Sequence, residues 1–327
     1  MEPQPVVVPP ARAALFLVVT ISPGGEETVR DLLEDVATLK RSVGFRVPDA
    51  ELSCVVGIGS AAWDRLFSGP RPQHLHQFVD LIGERHRALG TPGDLLFHVR
   101  GHRMDLCFEL GRLFVERLKG AATVVDEVHG FRFFDDRDLL GFVDGSENPE
   151  GENAVESVYV GDEDPDFKGG SYVIIQKYLH DLEAWNALPP EKQEMVIGRS
   201  KLENIEFPDE VKPADSHVTL NTITDEDGNE LKIVRENMPF GTIGKGEFGT
   251  FFIGYARTPE VTEEMLRNMF LGREPGRHDR ILDFSTAVTG GLFHVPTATF
   301  LDDLPPAPTA AEARADGSLG IGGLKGA

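Results

Sequence analysis

The sequence predicts an α+β fold of duplicated ferredoxin-like units, of the dimeric α+β barrel type, with antiparallel sheets and helices. Apolar runs and helical spacings follow each other in the order strand, helix, strand twice within the first 134 residues, which is typical of a ferredoxin-like unit. Two internal echoes indicate a duplication: residues 15–23 resemble residues 251–259, and residues 95–99 resemble residues 172–176.

The elements of the first unit follow from hydrophobic periodicity. Residues 13–21 form an apolar run typical of a buried strand, whereas residues 26–41 carry apolar side chains at helical spacing. In chain order we predict a strand at 13–21, a helix at 26–41, a strand at 51–57, helices at 61–67 and 78–89, a strand at 94–100, a helix at 102–118 and a strand at 121–134.

The second unit repeats this alternation less regularly. We predict a strand at 171–177, a helix from about residue 180, a helix at 190–200, a strand at 250–256, a helix at 261–271 and a last strand at 291–295. The chain then divides into a loose N-terminal arm at 1–12, an N-terminal domain at 13–145, a C-terminal domain at 146–304, a Pro- and Ala-rich linker at 305–316 and a short peptide at 317–327.

The charge balance bears on possible partners. The chain has 327 residues, with 32 Lys and Arg against 54 Asp and Glu, so its formal net charge is −22. A surface this acidic repels phosphates, which argues against nucleic acid and anionic membranes as partners. The two cysteines, Cys54 and Cys107, lie in apolar runs and are expected to be reduced core thiols. With no basic secretion signal at the N-terminus, we expect a cytoplasmic protein.

A glycine-bounded polar motif spans residues 141–149, with the sequence Gly-Phe-Val-Asp-Gly-Ser-Glu-Asn-Pro. Its glycines allow tight turns and a close backbone approach to a flat ligand, and Asp144 lies between them. The same residues also suit an ordinary polar turn with an Asx hydrogen bond. The motif alone does not separate the two interpretations.

Two further segments carry residues suited to chemistry. His217 begins a run that we expect to be a strand, and Arg235 and Asn237 would point the same way on another strand. A turn signal at Asp227-Gly228 predicts a hairpin that brings these segments together. His217 could equally be a structural histidine and Arg235 a surface residue. If the histidine and the arginine serve opposite faces of one ligand, the two arms must part to admit it.

With these three segments, the chain resembles the dye-decolourising peroxidase family, in particular its cytoplasmic bacterial B class. The resemblance runs from about residue 13 to residue 304 and rests on the Gly-x-x-Asp-Gly motif at 141–145, Ser-His-Val at 216–218 and Arg-x-Asn-Met-Pro-Phe at 235–240. Three motifs in the right order make the match specific. The resemblance implies haem b bound in the second half of the chain.

The resemblance also implies roles for individual residues. His217 would be the proximal iron ligand, Asp144, Arg235 and Asn237 would form the distal catalytic group, and Arg199 would pair with a haem propionate. Asp283 would be the carboxylate behind the proximal histidine, which strengthens it as a donor. The remaining residues expected to contact the cofactor are Gly145, Glu147, Asn148, Asn221 and Phe252.

The implied activity is the reduction of hydrogen peroxide through an oxoferryl intermediate, with oxidation of dyes, phenolic compounds or similar small reductants. A distal carboxylate can move a proton between the peroxide oxygens, and an arginine can stabilise the developing charge. Family members commonly form dimers or hexamers, so a homo-oligomer is expected.

The last segment, Ser-Leu-Gly-Ile-Gly-Gly-Leu-Lys-Gly at 318–326, resembles the peptide that loads such peroxidases into encapsulin shells. Leu319, Ile321 and Leu324 would fill apolar pockets of the shell protein. The alternative interpretation is an unstructured tail. The resemblance implies a location inside an encapsulin nanocompartment.

Three other functions compete with this reading. A haem-handling or iron-releasing protein of the deferrochelatase kind would keep His217 and Arg199 and would not need the pair of Asp144 with Arg235. Chlorite-dismutase chemistry would not need Asp144. A purely structural cargo protein would need the terminal peptide and no pocket.

Overall fold

A computed structural model describes residues 1–274 and 276–309, and it confirms the predicted α+β class with a large antiparallel sheet. Its strands are β1 (Ala13–Ile21), β2 (Ser53–Gly59), β3 (Leu81–Ile82), β4 (Arg87–Ala88), β5 (Leu95–Gly101), β6 (Ala122–Phe131), β7 (Ser171–His180), β8 (Ile223–Thr224), β9 (Glu230–Leu231), β10 (Val234–Arg235), β11 (Met238–Thr242), β12 (Glu247–Ala256), β13 (Ser285–Ala287) and β14 (Gly291–Val295).

The helices connect these strands. They are α1 (Glu26–Gly44), α2 (Ser60–Leu66), α3 (Met104–Arg117), α4 (Gly151–Val158), α5 (Leu182–Asn186), α6 (Pro190–Ile197), α7 (His217–Asn221), α8 (Glu260–Leu271) and α9 (Ala298–Asp302). Within the described residues, no helix combines the length and the apolar character that a membrane span requires.

Both halves of the chain contribute the same strand arrangement to one sheet. The main sheet runs in the order β10-β12-β7-β14-β2-β5-β1-β6, and β11 continues the β10 edge by pairing with β12. In the first half β1 lies between β5 and β6, and in the second half β7 lies between β12 and β14. Each half therefore has the βαββαβ order, and β14 joins the halves by pairing with β2.

The inner faces of the two half-sheets pack against each other. The even-numbered residues of β1 and the odd-numbered residues of β7 and β12 form one apolar layer, in which the rings of Phe16 and Phe251 stack at 4.1 Å. The sheet curls enough for Met238 to approach Gly130, where a Cβ atom would lie 2.4 Å from the Met238 Cβ. This position therefore requires glycine.

The outer faces of the two half-sheets differ. In the first half, α3 packs on β1 and β5, α1 packs on α3, and Leu15 and Leu17 are buried in the apolar cluster between them. In the second half, α7 and α8 leave a cavity between themselves and strands β7 and β12. The duplicated fold thus has one filled outer layer and one hollow outer layer.

Most predicted elements are present, and their observed ends differ from the predicted ends by a few residues. The strands at 13–21 and 291–295 match their predicted bounds, and Cys54 and Cys107 lie in the core as expected. The helix predicted at 190–200 ends at Ile197, because Gly198 takes a left-handed conformation with φ of +100°.

Two predicted elements were wrong. Residues 78–89 form the β3–β4 hairpin and not a helix, because Leu81 and Ala88 pair across a turn and bury against the body of the protein. His217 begins helix α7 and not a strand. Its segment reads as strand because Val and Thr are β-branched, although α7 is only one turn long and is held by tertiary contacts.

The prediction that residues 1–12 form a loose arm was also wrong. Gln4 and Val6 are buried, and the Gln4 side-chain amide donates to the carbonyls of Val56 and Pro296 at 2.9 and 2.8 Å. Its carbonyl oxygen accepts from the Val56 N–H at 2.8 Å. β14 pairs with β2 at Ile58 and Gly59, and Gln4 supplies hydrogen bonds to β2 at Val56, outside that short stretch.

The start of the predicted linker is likewise fixed to the body. Arg30 donates to the Pro305 carbonyl at 2.8 Å, and Ser68 donates its N–H to the Pro306 carbonyl at 2.9 Å. The linker residues 310–316 and the peptide at 317–327, with Leu319, Ile321 and Leu324, lie outside the described residues.

We predict that Gln4→Ala lowers the free energy of unfolding by about 2–3 kcal/mol, because it leaves buried backbone groups of Val56 and Pro296 without partners. Gln77→Ala is the matched control, since that side chain is exposed, and it should change the value by less than about 0.5 kcal/mol. Denaturant unfolding of both variants and the parent measures this. Equal losses in the two variants would contradict the role of Gln4.

Candidate active site

The cavity in the outer layer of the second half has a volume of about 1380 Å³, including the part open to solvent. Its floor is the sheet face that carries Tyr178, Thr250 and Phe252, and helix α8 supplies Met265 and Leu266 as an apolar wall. A ligand in this cavity would therefore lie between the sheet and helix α8.

A histidine and a buried carboxylate form one side of the site. The His217 Nδ1 lies 2.7 Å from the Asp279 Oδ2, and Asp279 is fully buried. Asn221 donates its side-chain amide to the His217 carbonyl at 2.8 Å and lies within 3.4 Å of the same Asp279 oxygen. The pair fixes the tautomer of His217, which carries its proton on Nδ1 and directs it at Asp279.

Asp279, and not the predicted Asp283, is the partner of His217. Asp279 caps the short 3-10 helix Arg280–Asp283 and turns its side chain towards α7, whereas Asp283 ends this helix and accepts hydrogen bonds from His86 and His278. The two aspartates lie four residues apart and face different neighbours. The assignment of Asp283 to the proximal histidine was therefore wrong.

The other nitrogen of His217 is free to bind a ligand. Among the described residues, no hydrogen-bond partner lies on Nε2, and His217 lines the cavity. A neutral imidazole with a carboxylate on Nδ1 and a free Nε2 is the usual form of a metal-binding histidine.

The glycine motif supplies the opposite side chain. Gly141 and Gly145 both have positive φ, at +91° and +76°, so the predicted tight turns are present. Asp144 lies between them and lines the cavity. Asn148 holds this loop to β10, because its side chain donates to the Arg235 carbonyl at 2.7 Å and accepts from the Arg235 N–H at 2.9 Å.

Asn237 makes the second connection between the motif and the strand segment. Its side chain donates to the Asp144 Oδ2 at 2.9 Å and accepts from the Ile253 N–H at 3.1 Å. Arg235 and Asn237 both line the cavity, as predicted, while Glu236 between them pairs with the buried Arg100 on the inner face. The segments before and after the 223–231 hairpin therefore diverge. Arg235 is hydrogen-bonded to Asn148, whereas His217 is hydrogen-bonded to Asp279.

Cations gather at one rim of the cavity. Arg199 donates to Glu147 at 3.0 Å, and the Lys232 Nζ lies 3.8 Å from the same carboxylate. The hydrogen bond from Arg199, followed by the charges of Lys232 and Arg235, lowers the pKa of Glu147 against the opposing effect of burial. Three cations around one carboxylate leave an excess of positive charge for acidic groups of a ligand.

Most of the predicted site residues meet in this cavity. Those that line it are Asp144, Gly145, Glu147, Arg199, His217, Asn221, Arg235, Asn237 and Phe252. Asn148 lies behind them and supports Arg235, and Asp283 lies elsewhere. Sequence reasoning missed Asp279, Asp138, Lys232 and His180.

Of these four residues, His180 could have been considered from its position in the sequence, although that position does not indicate a role. It stands at the start of a predicted helix, three residues after a predicted strand, a place where structural histidines also occur. Its Nδ1 contacts the Ser285 hydroxyl at 2.8 Å and its Nε2 contacts the Thr250 hydroxyl at 2.9 Å. Burial lowers its pKa to about 4, so it forms a neutral, fully bonded part of the cavity floor.

Two buried polar atoms without hydrogen-bond partners bear on whether the expected cofactor fits the cavity. The Nε atoms of Arg235 and Arg199 are buried without a partner among the described residues, which is costly unless a ligand satisfies them. A large cavity with an apolar wall, a free imidazole nitrogen and a cationic rim suits haem, which is flat and apolar and carries two carboxylates. The residues present therefore fit this cofactor.

Asp138 is a further carboxyl group in the cavity wall, besides Asp144 and Glu147. Its Oδ1 accepts the Phe142 N–H at 3.0 Å. Burial and, to a smaller extent, the charge of Asp144 raise the pKa of Asp138 to about 7, although hydrogen bonds from backbone N–H groups act in the opposite direction.

Comparisons with known proteins agree with this geometry. The family profile described as "Dyp-type peroxidase, N-terminal" matches residues 3–132, and the profile described as "Dyp-type peroxidase, C-terminal" matches residues 135–300. A dye-decolorizing peroxidase of Mycolicibacterium paratuberculosis is 62% identical over 330 residues, which cover 100% of this chain and 93% of that protein.

Solved structures give the same picture. An encapsulated DyP-type peroxidase from Mycobacterium smegmatis, solved by cryo-EM, is 64% identical, with a TM-score of 0.92 over 94% of this chain and 99% of its own. A variant of DypB from Rhodococcus jostii in complex with heme is 58% identical, with a TM-score of 0.90 over 92% of this chain and 98% of its own.

We predict that Asp138→Asn changes how stability depends on pH. A carboxyl group with a raised pKa holds its proton more tightly in the folded chain, so it weakens the fold as pH rises from about 4 to 7. Between these values, the free energy of unfolding of Asp138→Asn relative to the parent should rise by roughly 2 kcal/mol, a figure discounted for partial exposure.

Denaturant unfolding at several pH values measures this difference. Asp135→Asn is the control, because the hydrogen bond from Arg137 lowers the pKa of that exposed carboxyl and its removal should give no such rise. A flat difference between parent and Asp138→Asn would contradict the raised pKa.

Proposed function

The chain belongs to the Dyp-type peroxidase family, and we propose that it reduces hydrogen peroxide with haem b bound in the cavity between His217 and Asp144. One observation carries the proposal. A single cavity holds the His217 imidazole, whose Nε2 is free and whose Nδ1 contacts a buried carboxylate. The same cavity holds Asp144, which accepts a hydrogen bond from Asn237, and Arg235, whose Nε lacks a partner among the described residues.

His217 would hold the iron through Nε2. The hydrogen bond to Asp279 gives the imidazole more anionic character, which makes it a stronger donor and favours oxidised iron. Because Asp279 is fully buried, water does not compete for this hydrogen bond. When bound, haem supplies the redox chemistry that cleaves the peroxide O–O bond.

Asp144 would move the proton during this cleavage. Hydrogen peroxide must lose a proton from one oxygen and gain one on the other, which then leaves as water. The Asn237 amide holds the Asp144 Oδ2 at 2.9 Å, which leaves Oδ1 to accept the proton from one oxygen and return it to the other. Arg235 would bind the leaving oxygen through its unpaired guanidinium and stabilise the charge that develops there.

Arg199 would bind a carboxylate of the cofactor, and Lys232 and Glu147 would complete that rim. Arg199 is mostly buried and keeps its Nη2 on Glu147, so its unpaired Nε is the group available to the ligand. Gly145, Asn221 and Phe252 would contact the cofactor from the cavity wall.

The electron donors would be dyes, phenolic compounds or similar small reductants. The large aromatic residues Trp63, Trp185, Tyr172 and Tyr255 are all buried, so none of them offers a stacking surface to a donor in solvent. The ordered pair of Asp144 and Asn237 favours peroxide chemistry over haem handling, which needs no distal carboxylate.

We expect Asp144→Ala and Arg235→Leu, assayed separately, each to slow the reaction of the haem-loaded protein with peroxide at least 100-fold. Stopped-flow absorption of the haem band after addition of peroxide measures the rate. Both variants should keep the cofactor, because His217 and Asp279 are unchanged.

Asp135→Asn is the matched control, because this exposed carboxylate pairs with Arg137 and does not line the cavity. It should react at the parent rate. Whichever of the two cavity variants also keeps the parent rate is removed from the proposed proton transfer, and parent rates in both would leave haem handling as the better function.

Packaging is a separate part of the proposal. Residues 318–326 would dock on an encapsulin shell protein through Leu319, Ile321 and Leu324, with residues after Pro306 as the tether. The encapsulated relative from Mycobacterium smegmatis supports this location. A homo-oligomer, a dimer or a hexamer, would be the packaged form.

Replacing Leu319, Ile321 and Leu324 by Ser should abolish co-purification with the co-expressed shell and leave the peroxidase rate unchanged. The control replaces Glu312, Arg314 and Asp316 by Ala, which alters the tether and spares the apolar residues. Packaging of the Ser variant at the parent level would refute the docking role.

A further inference from the structure

We propose that His86, His278 and Asp283 form a binding site for a divalent transition metal ion of the zinc type, separate from the cavity. Each residue offers one ligand atom, and these three atoms all lie within 4.8 Å of one another. The site joins the two halves of the chain, since His86 belongs to the first half and the other two residues to the second.

The distances match the geometry that a small metal ion requires. The Asp283 Oδ1 lies 3.1 Å from the His86 Nε2 and 3.0 Å from the His278 Nε2. Metal–ligand bonds of about 2.0–2.1 Å place neighbouring ligand atoms roughly 2.9–3.4 Å apart in octahedral and tetrahedral sites. Both contacts fall within that interval, and the ligand atoms of His86 and His278 lie within 4.8 Å of each other.

The donor set selects the class of ion. Two imidazole nitrogens and one carboxylate oxygen suit zinc, copper, nickel and iron, whereas magnesium and calcium prefer oxygen ligands alone. Three protein ligands leave one or more positions for water.

The protein backbone presents these ligands in advance. The Gly83 N–H donates to the His86 carbonyl at 3.0 Å, which closes the turn that carries His86. That turn presses on the end of α8 so closely that a Cβ on Gly83 would lie 2.2 Å from the Phe270 carbonyl oxygen. Asp279 fixes the other side, because its N–H donates to the Met269 carbonyl at 2.8 Å beside His278.

The surroundings allow an ion to enter. The side chains of His86, His278 and Asp283 are 23, 13 and 32% exposed, so solvent reaches all three. Among the described residues, Arg85 is the Arg or Lys that pairs with Asp283, at 3.8 Å from its Oδ1. The Arg85 side chain is 67% exposed and can turn away into solvent.

Zinc uptake by the haem-loaded full chain tests the site. After treatment with a chelator, the protein is dialysed against Zn²⁺ with excess Mg²⁺, which occupies the acidic surface, and zinc and iron are measured together. We expect the parent to bind one zinc ion. The variants His86→Ala and His278→Ala should each bind zinc at least about tenfold more weakly than the parent. Zinc should also raise the melting temperature of the parent by about 3 °C, and not that of His86→Ala.

His129→Ala is the matched control, because His129 contacts a single carboxylate, that of Glu127, at 2.7 Å on the surface. It should bind zinc like the parent. An unchanged haem band and an unchanged melting temperature without zinc establish that the variants fold. If the parent takes up no more zinc than His86→Ala, the cluster is only a hydrogen-bonded surface contact and the proposal is wrong.

Discussion

A single buried carboxylate, Asp279, determines much of the architecture of the second half. A charge without solvent contact is tolerated only when hydrogen bonds compensate for its lost hydration. Here His217 and the Ile281 N–H supply them, at 2.7 and 3.0 Å, with Asn221 at 3.4 Å as a further polar neighbour. These partners come from α7 and from the segment after α8, so satisfying one charge fixes the position of both elements.

The opposite wall depends on β-strand alternation around a second buried charge. Arg100, almost without solvent exposure, pairs with Glu236 and donates to the carbonyls of Pro5 and Val6. Because Glu236 faces inward to this cation, its neighbours Arg235 and Asn237 must face outward into the cavity. The orientation of Arg235 and Asn237 therefore depends on the core of the first half and on residues 1–12.

Sequence patterns predicted those features that depend on local order. The strand at Ala13–Ile21 was found with its bounds because both of its faces are buried, which gives an uninterrupted apolar run. The turn glycines of the Asp144 motif and the shared face of Arg235 and Asn237 were also predictable, since both follow from backbone geometry.

Features that depend on distant partners were not predictable in the same way. Nothing local separates Asp279 from Asp283, since both lie on one polar segment and only the fold decides which carboxylate meets α7. The arm looked loose because its contacts, Val56 and Pro296, are remote in sequence. Helix α7 resembles a strand because tertiary packing overrides the weak helix propensity of its five residues.

The comparison of the two halves explains why only one of them carries the site. In the first half Gly111 of α3 lets the helix approach β1 closely, since a Cβ there would lie 2.2 Å from the Leu15 side chain. In the second half the floor carries Thr250 and His180 instead of Leu side chains, and α8 stands away with Met265 and Met269 facing the gap. Apolar groups that face such a gap are costly to leave in contact with water. A cofactor that covers these groups binds only the folded chain and therefore raises its free energy of unfolding. The residues that bind the cofactor thus also stabilise the second half.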